Sequence, residues 1–336
     1  MNQPQISIAV PAYNCQNYIE AMIKSIQAQT LIDWEMIIVD DHSTDNTCKI
    51  IENYTATDSR IKLYKRFENS GGCRLPRFDA ILKSSGKYVC PIDSDDIIES
   101  KYLQKMVDAI EKTGADIVTG IMYFFKDKIG DMNRCIPYSN RNGEILTGKD
   151  ACSLTLGKWD IGCNGLLTRT NVYKSYIENH YQQTFNGPHS DELDNRRLII
   201  NVSKIAFTNA AYYYRQVPTG IVLNNSIKSF NGLTNYKELM KFTYDHYKDD
   251  LEIKKLMSLQ YASELIHKCM NYYKNYGVYS FKERQYIIDI LRCTFNDFKQ
   301  YRKDLNKISY KLATINFFIL RKITQLRVQH STWFRL

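Results

Sequence analysis

At 336 residues, with 44% hydrophobic and 24% charged residues, the chain has the composition of a folded globular protein rather than a disordered or low-complexity one. Its length allows one or two domains with a sizeable core. A formal net charge of +9 admits anionic partners (nucleic acid, an anionic membrane surface, phosphorylated substrates) without choosing among them.

The first third alternates strand-like and helix-like segments. Residues 6–10 (ISIAV) read as a strand ended by Pro11, and a helix follows over 16–29 with Tyr18, Ile19, Met22, Ile23 and Ile26 at helical spacing. The apolar run 34–39 (WEMIIV) is a buried strand that stops at Asp40-Asp41, with Ser43 or Thr44 placed to cap a helix over 45–54. Residues 61–64 make a third strand, a helix runs from the Gly71-Gly72 loop to Ser84, and residues 87–92 make a fourth strand ending at Asp93-Ser94-Asp95-Asp96. A helix over 101–112 and a strand over 116–125 complete the series. This rhythm predicts an α/β fold with a mostly parallel, Rossmann-like sheet flanked by helices. Both acidic pairs then fall at carboxyl ends of strands, where such sheets bind ligands. Residues 130–225 are less regular. Helical patterns at 233–247, 251–276 and 281–299 predict a helical C-terminal region, and a boundary near 226 divides the chain into domains 1–226 and 227–336.

Asp93, Asp95 and Asp96 crowd three carboxylates at one strand end. A divalent cation relieves their repulsion, and hard carboxylate oxygens suit Mg²⁺ or Mn²⁺. Such an ion can stabilise a diphosphate leaving group. An Asp-rich turn or an acidic helix start is the plainer reading. Asp40-Asp41 is a weaker signal, a good strand-to-helix turn that can also accept a hydrogen bond from a nucleobase NH. Tyr13 offers a ring to a flat base, or packs as a core aromatic.

Taken together, residues 8–14 (IAVPAYN), 25–30 (SIQAQT), 34–47 (WEMIIVDDHSTDNT), Gly86-Lys87-Tyr88-Val89 and Asp93-Ser94-Asp95-Asp96 closely resemble the family 2 glycosyltransferases over about residues 5–125. The resemblance implies a GT-A fold, an NDP-sugar donor (a UDP-sugar above all), a divalent cation and transfer with inversion. Carried onto this chain, Pro11 and Tyr13 line the base pocket, Asp41 reads the base with Asp40 beside it, and Asp93, Ser94 and Asp95 lie near ribose and diphosphate. The metal falls to Asp95 or Asp96. Where relatives have A-R-N, this chain has Arg74-Leu75-Pro76-Arg77-Phe78, so the nucleotide contact is Arg74 or Arg77.

Inverting transfer needs a base for the acceptor hydroxyl. Relatives place it near a helix start, which Ser190-Asp191-Glu192 matches; Asp191 is the expected base and Glu192 the alternative, against a plain capping role. His189 stands next to this acid as an acceptor contact or a surface histidine. Trp159 occupies the acceptor-side region, as a stacking platform for a sugar ring or a core residue. Tyr212-Tyr213-Tyr214-Arg215 resembles the Y-Y-R segment that follows the last sheet strand, where Arg215 meets diphosphate charge or a helix acid.

Residues 307–336 mix Arg321, Lys322, Arg327 and Arg335 with Phe317, Phe318, Trp333 and Phe334, a basic amphipathic pattern that suits peripheral membrane contact or docking. The nine cysteines are odd in number and lack C-x-x-C, which argues for reduced thiols and a cytoplasmic setting. No stretch approaches a membrane span of ~20 apolar residues. The expectation is a sugar-nucleotide enzyme acting on a saccharide or lipid-linked saccharide in capsule or O-antigen assembly. The alternatives are a catalytically silent nucleotide-binding scaffold of the same fold and a nucleic-acid binder, the latter without a supporting motif.

Overall fold

The computed structural model describes residues 3–126, 128–132, 134–137, 140–156, 160–161, 164–183, 190–217 and 227–304. In chain order the elements are β1 (Ile6–Ala12), α1 (Ile19–Gln27), β2 (Trp34–Asp40), α2 (Thr47–Thr55), β3 (Ile61–Lys65), α3 (Arg74–Lys83), β4 (Tyr88–Pro91), β5 (Ile97–Ile98), α4 (Tyr102–Thr113) and β6 (Ile117–Phe125). There follow β7 (Arg134–Ile136), β8 (Ile145–Leu146), α5 (Gly148–Thr155), β9 (Leu167–Arg169), α6 (Thr170–His180), α7 (Ser190–Ile200), β10 (Ile205–Arg215), α8 (Gly232–His246), α9 (Leu251–Lys274) and α10 (Phe281–Phe298).

All seven residues of β1 and of β2 are buried, which is why these strands read as near-continuous aliphatic runs. α1 turns Ile19, Met22, Ile23 and Ile26 to the sheet, and α4 does the same with Tyr102, Leu103, Met106, Val107 and Ile110. Gly114, at φ +67°, ends α4 by donating its N–H to the Ile110 carbonyl.

The sheet order is β3-β2-β1-β4-β9-β6-β10-β5, with β7 on β6 and β8 on β10. Strands β3, β2, β1 and β4 run parallel, as do β6 and β10; β9 is antiparallel to both its neighbours. The chain winds outward from β1 to β3 and then returns to β4 on the other side of β1. The gap between the carboxyl ends of β1 and β4 is therefore the switch point where open α/β sheets take their ligands. Two prolines frame it. Pairing of β1 with β4 stops at Ala9↔Pro91, so Pro11 lies beyond the last β4 partner and its missing N–H breaks no ladder bond.

Under the other end of the sheet is a polar node. Glu35 of β2, 5% exposed, accepts hydrogen bonds from Ser7 Oγ (2.7 Å) and from Ser85 N and Oγ (2.7 Å each), and pairs with Lys62 Nζ (2.8 Å). Burial pushes its carboxyl up, but Lys62, Ser7 and Ser85 outweigh that and hold it at about 2.

Two helix starts come later than the sequence pattern suggests. α2 begins at Thr47, not Asp45, because Ser43 and Thr44 are spent on Asn14: Ser43 Oγ accepts from Asn14 N (2.9 Å) and Thr44 N donates to Asn14 Oδ1 (2.8 Å). α1 begins at Ile19 because Gln16 is drawn to the second strand end, its N–H on Asp45 Oδ2 and its Oε1 receiving Asn46 N.

The chain divides into two compact units, one comprising Met1–Thr155, Trp159–Asn186 and Asp194–Pro218, the other Leu156–Lys158, Gly187–Leu193 and Thr219–Leu336. In the second, Asp250 caps α9 by accepting from Ile253 N, and Ser280 with Glu283 forms a capping box on α10. Among the described residues no helix is long and apolar enough to cross a membrane. The basic segment 307–336 lies outside the described residues.

Candidate active site

Three strand ends build the site. At the end of β1, Pro11 is buried, whereas Tyr13, just beyond it, is 49% exposed. At the end of β2, Asp40 and Asp41 are 1% and 2% exposed. Asp40 Oδ2 receives Ser43 N (2.9 Å). Asp41, expected to accept from a base, bonds here to the loop that follows β3: it receives Ser70 N (3.0 Å), Ser70 Oγ (2.9 Å) and Asn69 Nδ2 (3.0 Å), with Arg66 Nε at 3.1 Å. Burial raises its carboxyl above the usual range despite these partners.

At the end of β4 the three aspartates differ sharply. Asp93 has one oxygen on Arg77 Nη2 (2.7 Å) and the other on Asn164 Nδ2 (3.0 Å). Asp96 is 1% exposed and takes Tyr212 Oη (2.6 Å) on Oδ2 and the Arg215 N–H (2.7 Å) on Oδ1. The same tyrosine oxygen receives the Asp93 N–H (3.3 Å). Burial, then Asp95 and Asp93, raise the Asp96 carboxyl well above its ordinary range. Asp96, one of the two expected metal ligands, thus has both oxygens bonded into the wall of the site. Asp95 is different. It is partly exposed, and among the described residues no hydrogen bond from another residue reaches its carboxylate. Burial, then the charge of Asp93, push it up to about 6. Ser94 sits beside the Cys15 thiol, which burial raises to about 11.

What holds this turn is a glycine. Gly165 adopts φ +69° and packs so closely that an added Cβ would lie 2.4 Å from Tyr102 Oη and 2.5 Å from Tyr212 Cδ2. Its carbonyl receives Tyr102 Oη (2.6 Å). The tight turn seats Tyr212 against Asp96 and swings Asn164 onto Asp93. Arg215 completes the frame: its Nε donates to the Asp95 carbonyl (2.9 Å) and its guanidinium lies 4.5 Å over the Phe125 ring. The Tyr212–Arg215 segment lies within β10, at its carboxyl end, and not after the strand as expected.

A small pocket opens beside this turn, lined by Arg77, Pro91, Asp93, Asn164, Leu166, Tyr173 and Asn195. Of the two candidate arginines, Arg77 reaches the acidic turn. Arg74 is 1% exposed and points inward to Asp194 (2.7 Å) and the His180 carbonyl (2.7 Å). Asp191 and Glu192 open α7, both partly exposed, with Asp191 Oδ1 accepting the Glu192 N–H (3.0 Å). Trp159 and His189 lie outside the described residues. Asn164 and Asn195 were not anticipated as site residues, and Tyr212 only as part of the Y-Y-R segment. Among the described residues no three His, Cys, Asp or Glu side chains converge as a ready-made metal site.

The family model described as glycosyl transferase family 2 matches residues 7–176. GlyG, a glycosyltransferase of Streptococcus pneumoniae, is 26% identical over 219 residues, 65% of this chain and 72% of GlyG. TuaG of Bacillus subtilis, assigned to teichuronic acid biosynthesis, is 37% identical over 126 residues, 37% of this chain and 50% of TuaG. Among solved structures, S. aureus TarS 1–349, determined with UDP-GlcNAc, superposes with a TM-score of 0.68 at 17% identity, covering 97% of this chain and 92% of that one. The switch-point crevice, its acidic turn and the match over half the chain agree: this protein has the GT-A fold and belongs to glycosyl transferase family 2.

Proposed function

We propose that the protein transfers a sugar from a UDP-sugar, with inversion, to a saccharide or lipid-linked saccharide acceptor in bacterial surface-polysaccharide assembly. The observation that carries this reading is Asp95: a partly exposed carboxylate at the switch point, free of hydrogen bonds from other described residues, next to an Asp93 paired with Arg77. TuaG and TarS supply the analogy, the first by its naming for teichuronic acid biosynthesis, the second by its bound UDP-GlcNAc.

In this reading Tyr13 stacks on the base, and Asp40 lies in the wall behind it. Asp93 and Ser94 face ribose and diphosphate. Asp95 would hold a divalent cation, Mn²⁺ or Mg²⁺, through its carboxylate. The ion would supply positive charge to the departing diphosphate. Asp96 holds the turn in place, and Arg215 braces the Asp95 backbone. Asp191, with Glu192 as the alternative, takes the acceptor proton. The acceptor oxygen then bonds to the anomeric carbon on the face opposite the diphosphate, the bond from that carbon to the phosphate oxygen breaks, and UDP leaves with the electron pair. Residues 1–226 are read as the catalytic domain and 227–336 as a helical region whose basic end contacts the membrane surface.

A panel of UDP-sugars scored by UDP release, with Mn²⁺ and with a chelator, tests the donor side. Turnover untouched by chelation removes the cation from the mechanism. Full transfer by Asp191→Asn and by Glu192→Gln removes the proposed base. No UDP release from any donor would favour a silent scaffold.

A further inference from the structure

The pocket beside Asp93 has three helical walls: Arg77 on α3, Tyr173 on α6 and Asn195 on α7. Each stands within one helical turn of a member of a single buried network. Arg74 precedes Arg77 by three residues, Tyr176 follows Tyr173 by three, and Asp194 adjoins Asn195. In that network Arg74 Nε meets Asp194 Oδ2 at 2.7 Å, and Tyr176 Oη donates to Asp194 Oδ1 at 2.6 Å. Arg74 also donates Nη2 to the His180 carbonyl (2.7 Å) and Nη1 to that of Gln183 (3.3 Å), at the end of α6 and just beyond it. The Tyr176 ring stacks on His180 with centroids 4.3 Å apart. Arg74 is 1% exposed and Asp194 3%. The three helices that wall the pocket are thus tied at one buried charge pair.

A buried ion pair is a poor device for stability alone, because desolvation of both charges consumes most of the attraction, and apolar residues of similar volume often do as well. Its directional bonds do fix the spacing of the elements that carry it. We propose that Arg74, Asp194 and Tyr176 are positioning residues for the donor sugar: they hold Arg77, Tyr173 and Asn195 in place beside Asp93, where the pocket's polar groups would meet a hexose at its mouth. The pocket's guanidinium, carboxylate, phenol and amides, backed by Pro91 and Leu166, suit the hydroxyl and amide groups of such a ring. This rests on the reading of the protein as a UDP-sugar transferase.

Calorimetric titration with UDP and with a panel of UDP-sugars tests it without requiring turnover. The double variant Arg74→Met/Asp194→Leu removes both charges at similar volume, and Tyr176→Phe removes one hydroxyl. The expected result is melting within a few degrees of wild type, UDP affinity within twofold, and affinity for the preferred UDP-sugar lowered about tenfold in the double variant and about threefold in Tyr176→Phe. Should the double variant fail to fold, Tyr176→Phe decides alone. Unchanged UDP-sugar affinity in a folded variant overturns the positioning role. A wild type that binds no UDP-sugar more tightly than UDP overturns the underlying reading of the pocket instead.

Discussion

Replacing Gly165 by alanine probes the nest that holds the acidic turn. An L-residue at φ +69° costs about 1–2 kcal/mol in backbone energy. Its methyl group would enter space already occupied by Tyr102 Oη at 2.4 Å and the Tyr212 ring at 2.5 Å, both side chains fully buried. Overpacking of that kind costs about 1–3 kcal/mol. The easiest relief is to push Tyr212 away, but its hydroxyl is bonded to Asp96 (2.6 Å), and a buried carboxylate robbed of a donor costs about as much again. These two routes compete rather than add, so with the backbone cost the expected loss is about 2–5 kcal/mol. Gly143 is the matched control: it has φ +84° and nothing within 4 Å of a built Cβ, so Gly143→Ala carries the backbone cost alone. Urea unfolding followed by circular dichroism gives both values. If Gly165→Ala destabilises no more than Gly143→Ala, the glycine nest does not hold the turn and the account of Asp96 and Tyr212 fails.

Three further outcomes are expected. Glu35 is held at about 2 in the folded chain against an ordinary 4.5, so its contribution is complete above pH 4.5 and lost as pH falls through 2; the stability gap between wild type and Glu35→Gln should shrink over that window, and a gap constant from pH 5 to 2 contradicts it. Tyr13→Ala should raise the KM for the UDP-sugar by about two- to tenfold with kcat little changed, the size of one lost stacking contact, and an unchanged KM would take Tyr13 out of the base site. Asp95→Asn should lower kcat by about 10²–10³ and flatten the response to Mn²⁺, whereas a normal metal titration in that variant would reassign the cation.

Strands β1, β2 and β4 were legible because they are buried on both faces, and α1 and α4 because they carry a clear apolar stripe. Asp40-Asp41 and the Asp93–Asp96 turn could be placed at strand ends on that basis alone. What each aspartate does was not legible. It depends on partners 29 to 119 positions away, such as Ser70 for Asp41 and Tyr212 or Arg215 for Asp96. Strand β9, three residues long, carries no periodic signal, yet it separates β4 from β6. Arg74 and Arg77 look alike in the sequence, being one turn apart on a helix that is buried along most of its length; only the packing of α6 and α7 decides which one is interior. Likewise Asn164 is an ordinary loop residue until the left-handed glycine beside it aims its side chain.

At the first two strand ends the backbone is left-handed without glycine, at Asn14 (φ +46°) and His42 (φ +65°). Residues 43 and 44 are strapped across to Asn14 by hydrogen bonds of 2.9 and 2.8 Å. The two loops that would flank a nucleobase are therefore stiffened by folding itself. Conformational freedom that a looser site would surrender on meeting its ligand has already been given up here, so association should show a small entropic penalty and a fast, nearly rigid-body on-rate. Asn14→Gly would return that freedom. The fold would hardly register it, but nucleotide binding would become more exothermic in compensation or simply weaker, and the temperature dependence of affinity would tell the two apart.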